Sequence, residues 1–222
     1  MSGAPVSPYL VPGFYDRALA EGRHRDIVGG RWDETGRAQM SVLRAAGLRP
    51  HHRLLDVGAG SLRLGCRAVT WLDEGNYWAT DASRALMMRG RSEELADPGR
   101  LPVEHLIEDA DFVYPGVPET IDMALAFAVF THLPPDRLSL ALRNAKRSFP
   151  GLSAFVLTVF LAAEDQAAAA VRQPDGVVTH PARPPYHLTV MEAENIVVTS
   201  GFRAEILPTI LPRGQRLIVA RP

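Results

Sequence analysis

A chain of 222 residues is long enough for one full α/β domain and too short for two of ordinary size. Its formal net charge of −1, with 22% charged residues, gives no basic footprint for phosphate backbones, so no nucleic acid is expected as a partner. Cys66 is the single cysteine, which excludes an internal disulfide and fits a reducing cytoplasm; no segment approaches the roughly 20 apolar residues of a membrane span, and no signal peptide or membrane partner is expected.

Taken in chain order, residues 1–32 hold Pro5, Pro8 and Pro12, then Gly22, Gly29 and Gly30, a poor start for a core element. They read as an N-terminal arm with a short helix around 13–20, whose Tyr9, Phe14 and Tyr15 are apolar enough to dock on something. The remaining residues, 33–222, read as a single domain. A helix is expected over about 33–47, then a strand at 53–57 that reaches a glycine-rich turn, and a helix over 62–72. Tyr77 to Thr80 is a second strand ending on Asp81, and Ser83 is placed to cap a helix running to about 96. Val103–Ile107 and Ile121–Phe127 read as the third and fourth strands. A helix from Pro135 to about 148 and a fifth strand over Ala154–Phe160 follow.

Strands alternate with helices, and the strands are apolar runs with little period-2 alternation, the mark of parallel strands covered on both faces. The end of the chain differs. After a helix at about 190–200, the runs Phe202–Leu207 and Arg216–Ala220 lie close enough for a hairpin, so one edge of the sheet is expected to turn antiparallel. Residues 161–188 break the alternation as an insertion: Ala167–Val171 favours helix, while Pro174, Pro181, Pro184 and Pro185 oppose it. An insertion of this length is often a lid or a binding loop.

The segment Leu54-Leu55-Asp56-Val57-Gly58-Ala59-Gly60-Ser61-Leu62-Arg63 carries the chemistry. A strand feeds a turn in which Gly58 and Gly60 permit tight bending and close approach of a ligand to bare backbone, and a helix follows whose first amides can meet ligand oxygens. Asp81, about 20 residues on at the end of the next strand, has the spacing of a carboxylate that grips a ribose diol; the alternative is a simple helix cap. A dinucleotide fingerprint wants a third glycine where this chain has Arg63.

On these residues the chain resembles class I S-adenosylmethionine-dependent methyltransferases, of the methyltransferase-11/25-like, small-molecule type. Leu-Leu-Asp-Val-Gly-Ala-Gly is similar to their motif I, Asp81 to their ribose-binding acid, and Phe127-Ala-Val-Phe-Thr-His-Leu133 to their segment after the fourth strand. Thr189 with Gly201-Phe202 is similar to their C-terminal tail. The resemblance implies a Rossmann-like, doubly wound, seven-stranded sheet, mostly parallel with an antiparallel C-terminal edge strand. It implies S-adenosylmethionine as cofactor and a small molecule as methyl acceptor. By position, Gly58, Ala59 and Gly60 approach the methionine part and ribose, Asp56 orients the loop or meets the cofactor amine through water, Asp81 holds the ribose hydroxyls, and Ala82 flanks the adenine. Asp109 or Asp111 meets the adenine edge, with Asp109 preferred, and Ala126 and Phe127 present carbonyls to the cofactor amine. Arg63 is placed to pair with a carboxylate of cofactor or substrate, or with a nearby acid.

Methyl transfer needs alignment above all, and a base when the acceptor is a hydroxyl or amine. His132 is the first candidate base, against a bland role in capping the next helix with Thr131. Tyr186 and His187 stand at the end of the insertion, facing an acceptor or packing structurally. Trp32, Glu34 and Gln39 are candidates to close over the cofactor from the arm. The histidines show no metal spacing, so no metal is expected. An Asn-Pro-Pro-Tyr motif is missing after the fourth strand, where Ala126-Phe127-Ala128-Val129 stands, which argues against a DNA base or protein glutamine as target. The expected activity is methyl transfer to oxygen or nitrogen of a small molecule, in secondary metabolism, by a monomer or homodimer. The alternatives are non-methylating chemistry on the same cofactor, such as cyclisation or decarboxylation, and a non-catalytic binding protein.

Overall fold

Every residue of the short strand β1 (Leu54–Val57) is buried, although its side chains point alternately to two sides. Leu54 joins one core cluster with Val42, Leu43 and Met87, while Leu55 and Val57 join another with Leu142 and Phe149. The same split divides Ala154 and Val156 from Phe155 and Leu157 in β5 (Ala154–Ala162). This is why the strands read as continuous apolar runs: helices cover both faces of the sheet. The computed structural model describes Ser7, Tyr9 and residues 13–222, so Pro5, Pro8 and Pro12 of the arm lie outside the described residues.

Beside β1 lie β2 (Tyr77–Asp81) on one side and β4 (Met123–Ala126) on the other, both parallel to it. The third strand β3 (Leu106–Glu108) is parallel to β2, and β5 is parallel to β4. The C-terminal hairpin of β9 (Arg203–Ile210) and β10 (Arg216–Arg221) completes the sheet in the order β3-β2-β1-β4-β5-β10-β9. The antiparallel strand is β10, which pairs with both β5 and β9. A short strand, β8 (His187–Thr189), continues the pairing along the end of β5.

The helices follow the sequence closely. They are α1 (Phe14–Ala20), α2 (Trp32–Ala46), α3 (Gly65–Trp71), α4 (Arg84–Glu94), α5 (Pro135–Ser148) and α6 (Val190–Thr199). The Ser83 side chain caps α4 by accepting from the Leu86 amide at 3.2 Å. Thr189 and Glu192 form a reciprocal capping box on α6.

Two expectations are corrected. Val103–His105 is a 3₁₀ turn rather than the start of a strand, and β3 begins at Leu106. His105 is held there by stacking on Trp78 at 3.6 Å and by a 3.0 Å bond to the Tyr77 carbonyl. Within the insertion, Ala167–Val171 forms no helix: a 3₁₀ turn at Glu164–Gln166 gives way to the two-stranded ribbon β6 (Val171–Arg172) and β7 (Val178–Thr179). The alanine run is too short to nucleate a helix by itself, and Pro174 ends it. Among the described residues no helix is long and apolar enough to cross a membrane.

Candidate active site

The strand order reverses between β1 and β4, and ligands of open α/β sheets gather outside the strand carboxyl ends at such a point. The main cavity lies there, lined from the ends of β1, β2, β3, β4 and β5 by Gly58, Asp81, Asp109, Phe127 and Phe160.

After β1 the chain folds back on β2: the amides of Gly58 and Ala59 both donate to the Thr80 carbonyl, at 2.7 and 3.0 Å. Gly58 and Gly60 take φ of 69° and 58°, the left-handed region that favours glycine. A Cβ on Gly58 would come within 2.5 Å of Val129, and one on Gly60 within 2.5 Å of Val28. The turn is therefore a floor of bare backbone between the segment after β4 and the arm. Asp81 fixes its height. One carboxylate oxygen accepts from the Gly60 amide at 2.9 Å, the other from the Ser83 amide at 3.0 Å. Burial pushes the Asp81 carboxyl up to about 6 against these backbone bonds.

Asp56 lies beneath the turn and not on the cavity wall. It is buried and accepts a 2.6 Å bond from the Tyr77 hydroxyl, and burial raises its pKa to about 7. Arg63, two residues before α3, does reach the cavity. It is 7% exposed, donates to the carbonyls of Val28 and Gly30 at 2.9 and 3.1 Å, and leaves its Nε without a partner. Burial lowers its pKa to about 10.

On the far side, Asp109 lines the cavity while its carboxylate accepts from the amides of Asp111, Val113 and Tyr114, shaping the loop after β3. Asp111 faces outward, paired with Arg137 at 2.8 Å. Phe127 lines the cavity, whereas Ala126 is sealed in β4. The Ala128 amide donates to the Thr158 hydroxyl at 2.8 Å, and that hydroxyl donates to Gln215, another cavity residue. His132 completes this rim, its ring edge-on to Tyr9 at 4.8 Å. Burial, assisted by the Arg213 charge, lowers its pKa to about 4, so the imidazole is neutral at physiological pH.

The arm covers the site. Ser61 donates to the His24 carbonyl at 2.8 Å, and Arg25 pairs with Glu94 of α4 at 2.6 Å. Arg213, in the turn between β9 and β10, donates to the Gly29 carbonyl at 2.6 Å, and Arg31 reaches Asp175 of the insertion at 3.3 Å.

The fold thus brings together Gly58, Ala59, Gly60, Arg63, Asp81, Ala82, Asp109, Phe127 and His132 on one cavity. It sets Asp56, Asp111, Ala126, Tyr186 and His187 off that wall. His187 is buried in the insertion between the Thr179 hydroxyl at 2.9 Å and the Ala167 carbonyl at 3.3 Å, and the Tyr186 amide is tied to the Thr131 carbonyl at 2.7 Å. Of the arm and α2 candidates only Gln39 lines the cavity; Trp32 lies under Arg25 at 5.0 Å and Glu34 pairs with Arg31. Sequence reasoning assigned no role to Val28, Arg213 or Gln215. The strongest available signal was the Pro-Arg-Gly turn of the terminal hairpin, which marks a bend without stating what the bend faces.

No family model matches the chain, and comparison with curated proteins gives no match. Solved structures do resemble it. Magnesium protoporphyrin IX methyltransferase from Synechocystis PCC 6803, solved with bound SAM, aligns over 100% of both chains with TM-score 0.64 and 16% identity. A putative O-methyltransferase from Nostoc punctiforme PCC 73102 aligns over 97% of this chain and 70% of its own, with TM-score 0.65 and 15% identity. Human N-acetylserotonin methyltransferase, in complex with SAM, aligns over 97% of this chain and 62% of its own, with TM-score 0.65 and 17% identity. Likenesses at such identity speak for architecture: the chain has the Rossmann-like α/β fold of S-adenosylmethionine-dependent methyltransferases.

Proposed function

We propose that this protein is an S-adenosylmethionine-dependent methyltransferase acting on an oxygen or nitrogen of a small molecule. The observation that carries the reading is the pairing of a bare glycine floor with a buried carboxylate from the neighbouring strand, Gly60 N–H to Asp81 at 2.9 Å, at the mouth of the topological switch. A Cβ at either glycine would intrude on the floor's neighbours, and the Arg63 Nε and Gln39 Oε1 are buried without partners in the described residues. A ligand with hydroxyls at one end and a carboxylate at the other suits these groups.

Asp81 has one lone pair per oxygen left after its backbone bonds, enough to accept from two ribose hydroxyls. The loop after β3, braced by Asp109, offers the Ala110 backbone and the Phe112 ring to the adenine. Arg63 offers its guanidinium to the cofactor carboxylate, and the carbonyls near Phe127 face the amine. The bound cofactor supplies an electrophilic methyl on a good leaving group. The chain's own task is then to hold the acceptor in line, which can contribute up to roughly 7–11 kcal/mol, and to exclude water. The described residues of the arm, Tyr9 and 13–32 among them, pack over the cavity and serve the exclusion. His132, neutral and facing the cavity, takes the proton from a hydroxyl or amine acceptor.

Calorimetry with S-adenosylmethionine and S-adenosylhomocysteine tests the reading. Both are expected to bind, and Asp81→Ala is expected to weaken binding by roughly 2–4 kcal/mol, the loss of two charge-assisted bonds. Equal affinity in the variant, or no heat in the wild type, would overturn it. Formation of S-adenosylhomocysteine with an acceptor separates methyl transfer from other chemistry on the same cofactor.

A further inference from the structure

Arg213 is left over once the cofactor has been provided for. It stands in the tight turn between β9 and β10, with backbone φ of 67°, a conformation that disfavours a residue bearing a Cβ. Its side chain lines the cavity, and the bond its guanidinium makes there is to a neutral carbonyl, that of Gly29. Arg213 is exposed at the cavity's rim and, among the described residues, has no carboxylate partner.

The charges of the cavity are segregated. Asp81 and Asp109 lie at the ends of β2 and β3, and both carboxylates are engaged by backbone amides. Leu133, Phe160, Val177 and Pro185 also line the cavity, and its cations are Arg213 and Arg63, which bond neighbouring carbonyls of the arm, those of Gly29 and of Val28 and Gly30. Arg63, the second guanidinium of the cavity, is committed to the cofactor carboxylate in the reading above. Burial keeps the His132 ring neutral, and the Arg213 charge adds to that effect, which places the guanidinium near the ring. A cationic acceptor would be repelled beside Arg213, and an apolar body with one negative group would find both a wall and a counter-ion. The planar guanidinium fork matches a carboxylate in shape.

We propose that the methyl acceptor carries a carboxylate on an apolar body, distinct from the hydroxyl or amine that takes the methyl and gives its proton to His132, and that Arg213 pairs with that carboxylate. The proposal rests on the cofactor assignment above and adds the chemical class of the second substrate.

The test uses the full chain saturated with S-adenosylhomocysteine, whose own binding is measured first. Benzoate, cinnamate, 1-naphthoate and decanoate are then titrated, each beside its uncharged carboxamide, by calorimetry and by shift of the melting temperature. At least one acid is expected to bind tenfold or more tightly than its amide. Two variants separate charge from latch. Arg213→Gln keeps an N–H donor for the Gly29 carbonyl without the charge, and Arg213→Gly removes both while relieving the positive φ. Both are expected to abolish the preference for acids. The proposal is overturned if no acid binds, if amides match acids, if the preference survives in both variants, or if it is lost in Arg213→Gly and kept in Arg213→Gln, which would assign the effect to the latch. Absence of S-adenosylhomocysteine binding in the wild type would remove the cofactor assignment and this inference together, whereas its presence with no preference for acids overturns this inference alone.

Discussion

The two ends of the cavity are built in opposite ways. At the Asp81 end, carboxylates and backbone amides from three successive strands satisfy one another, so that Asp81 and Asp109 hold the loops that would surround an adenosyl group. At the Arg213 end, side chains from the arm, the segment after β4 and the terminal hairpin meet with their charges open: a neutral imidazole, a guanidinium bonded to a carbonyl, and apolar wall. The first end comes from a contiguous stretch of chain, residues 54–83, plus one loop. The second is assembled from positions nearly the whole chain apart. In the proposed reading, the shared cofactor meets local backbone geometry, and the acceptor, which varies, meets side chains delivered from far away.

The largest effect that would sharpen this contrast concerns the support beneath the glycine turn. Asp56 is buried with a pKa raised to about 7 by desolvation, against which the Tyr77 hydroxyl and, more weakly, the Arg63 charge act. A carboxyl whose folded pKa exceeds its unfolded value of about 4 contributes stability that is present below pH 4 and is lost as pH rises through 7. Asp56→Asn keeps an acceptor for Tyr77 and removes the charge. Thermal unfolding at pH 8 should therefore show the variant more stable by roughly 2–4 kcal/mol, with little difference at pH 4. A variant less stable at pH 8 would mean that the carboxylate is stabilised by something beyond Tyr77 and Arg63. At the other end of the cavity, His132→Ala should lower turnover by roughly a hundredfold, the usual contribution of a positioned base, and leave cofactor affinity unchanged. Unaltered turnover would leave the imidazole a packing role beside Tyr9. Next in size is Gly60→Ala: a left-handed φ costs an alanine about 1–2 kcal/mol, and its Cβ would also displace Val28. Cofactor affinity should fall tenfold or more, and Val28→Ala in the same chain should restore part of it. Absence of any restoration would show that the arm does not press on the turn.

The same contrast explains what the sequence disclosed. Strands, turn and acid of the first end lie in one βαβ unit, where hydrophobic runs, Gly58, Gly60 and the spacing to Asp81 are all local signals. Ser83, read as a short polar residue before an apolar helix, does cap α4, while the capping box of Thr189 and Glu192 on α6 came only from the structure. The Asp56–Tyr77 bond was within reach too, because Asp56 pairs with Ala79 across the parallel strands and Tyr77 lies two residues upstream on the same face. The start of β3 was misplaced because His105 is ordered by Trp78 and a β2 carbonyl, contacts from another strand that a run of apolar letters cannot express. His187 and Tyr186 were candidates for catalysis by residue type and by their place at the end of the insertion, with structural packing the alternative. Their contacts tie the insertion to itself and to the segment after β4. The Pro-Arg-Gly turn marked a bend at Arg213 but not what it faces, since its partner Gly29 lies at the opposite end of the chain.

The smallest expected effect is also the one that tells the ends apart by acid alone. Asp81 is pushed up to about 6 by burial, so it begins to take a proton just below neutrality. A protonated Asp81 loses acceptor capacity toward two hydroxyls, and cofactor affinity should fall as pH drops through 6, approaching tenfold per pH unit below it. Free protein should move the other way over the same range, since a raised carboxyl destabilises the fold only when ionised. His132, lowered to about 4, stays neutral throughout and cannot produce the change. Calorimetric titration with S-adenosylhomocysteine from pH 7.5 to 5 measures the first trend and thermal unfolding the second. Affinity that is flat across that range would place the ribose contact on some group other than Asp81, while affinity and stability falling together would point to general acid unfolding of the site.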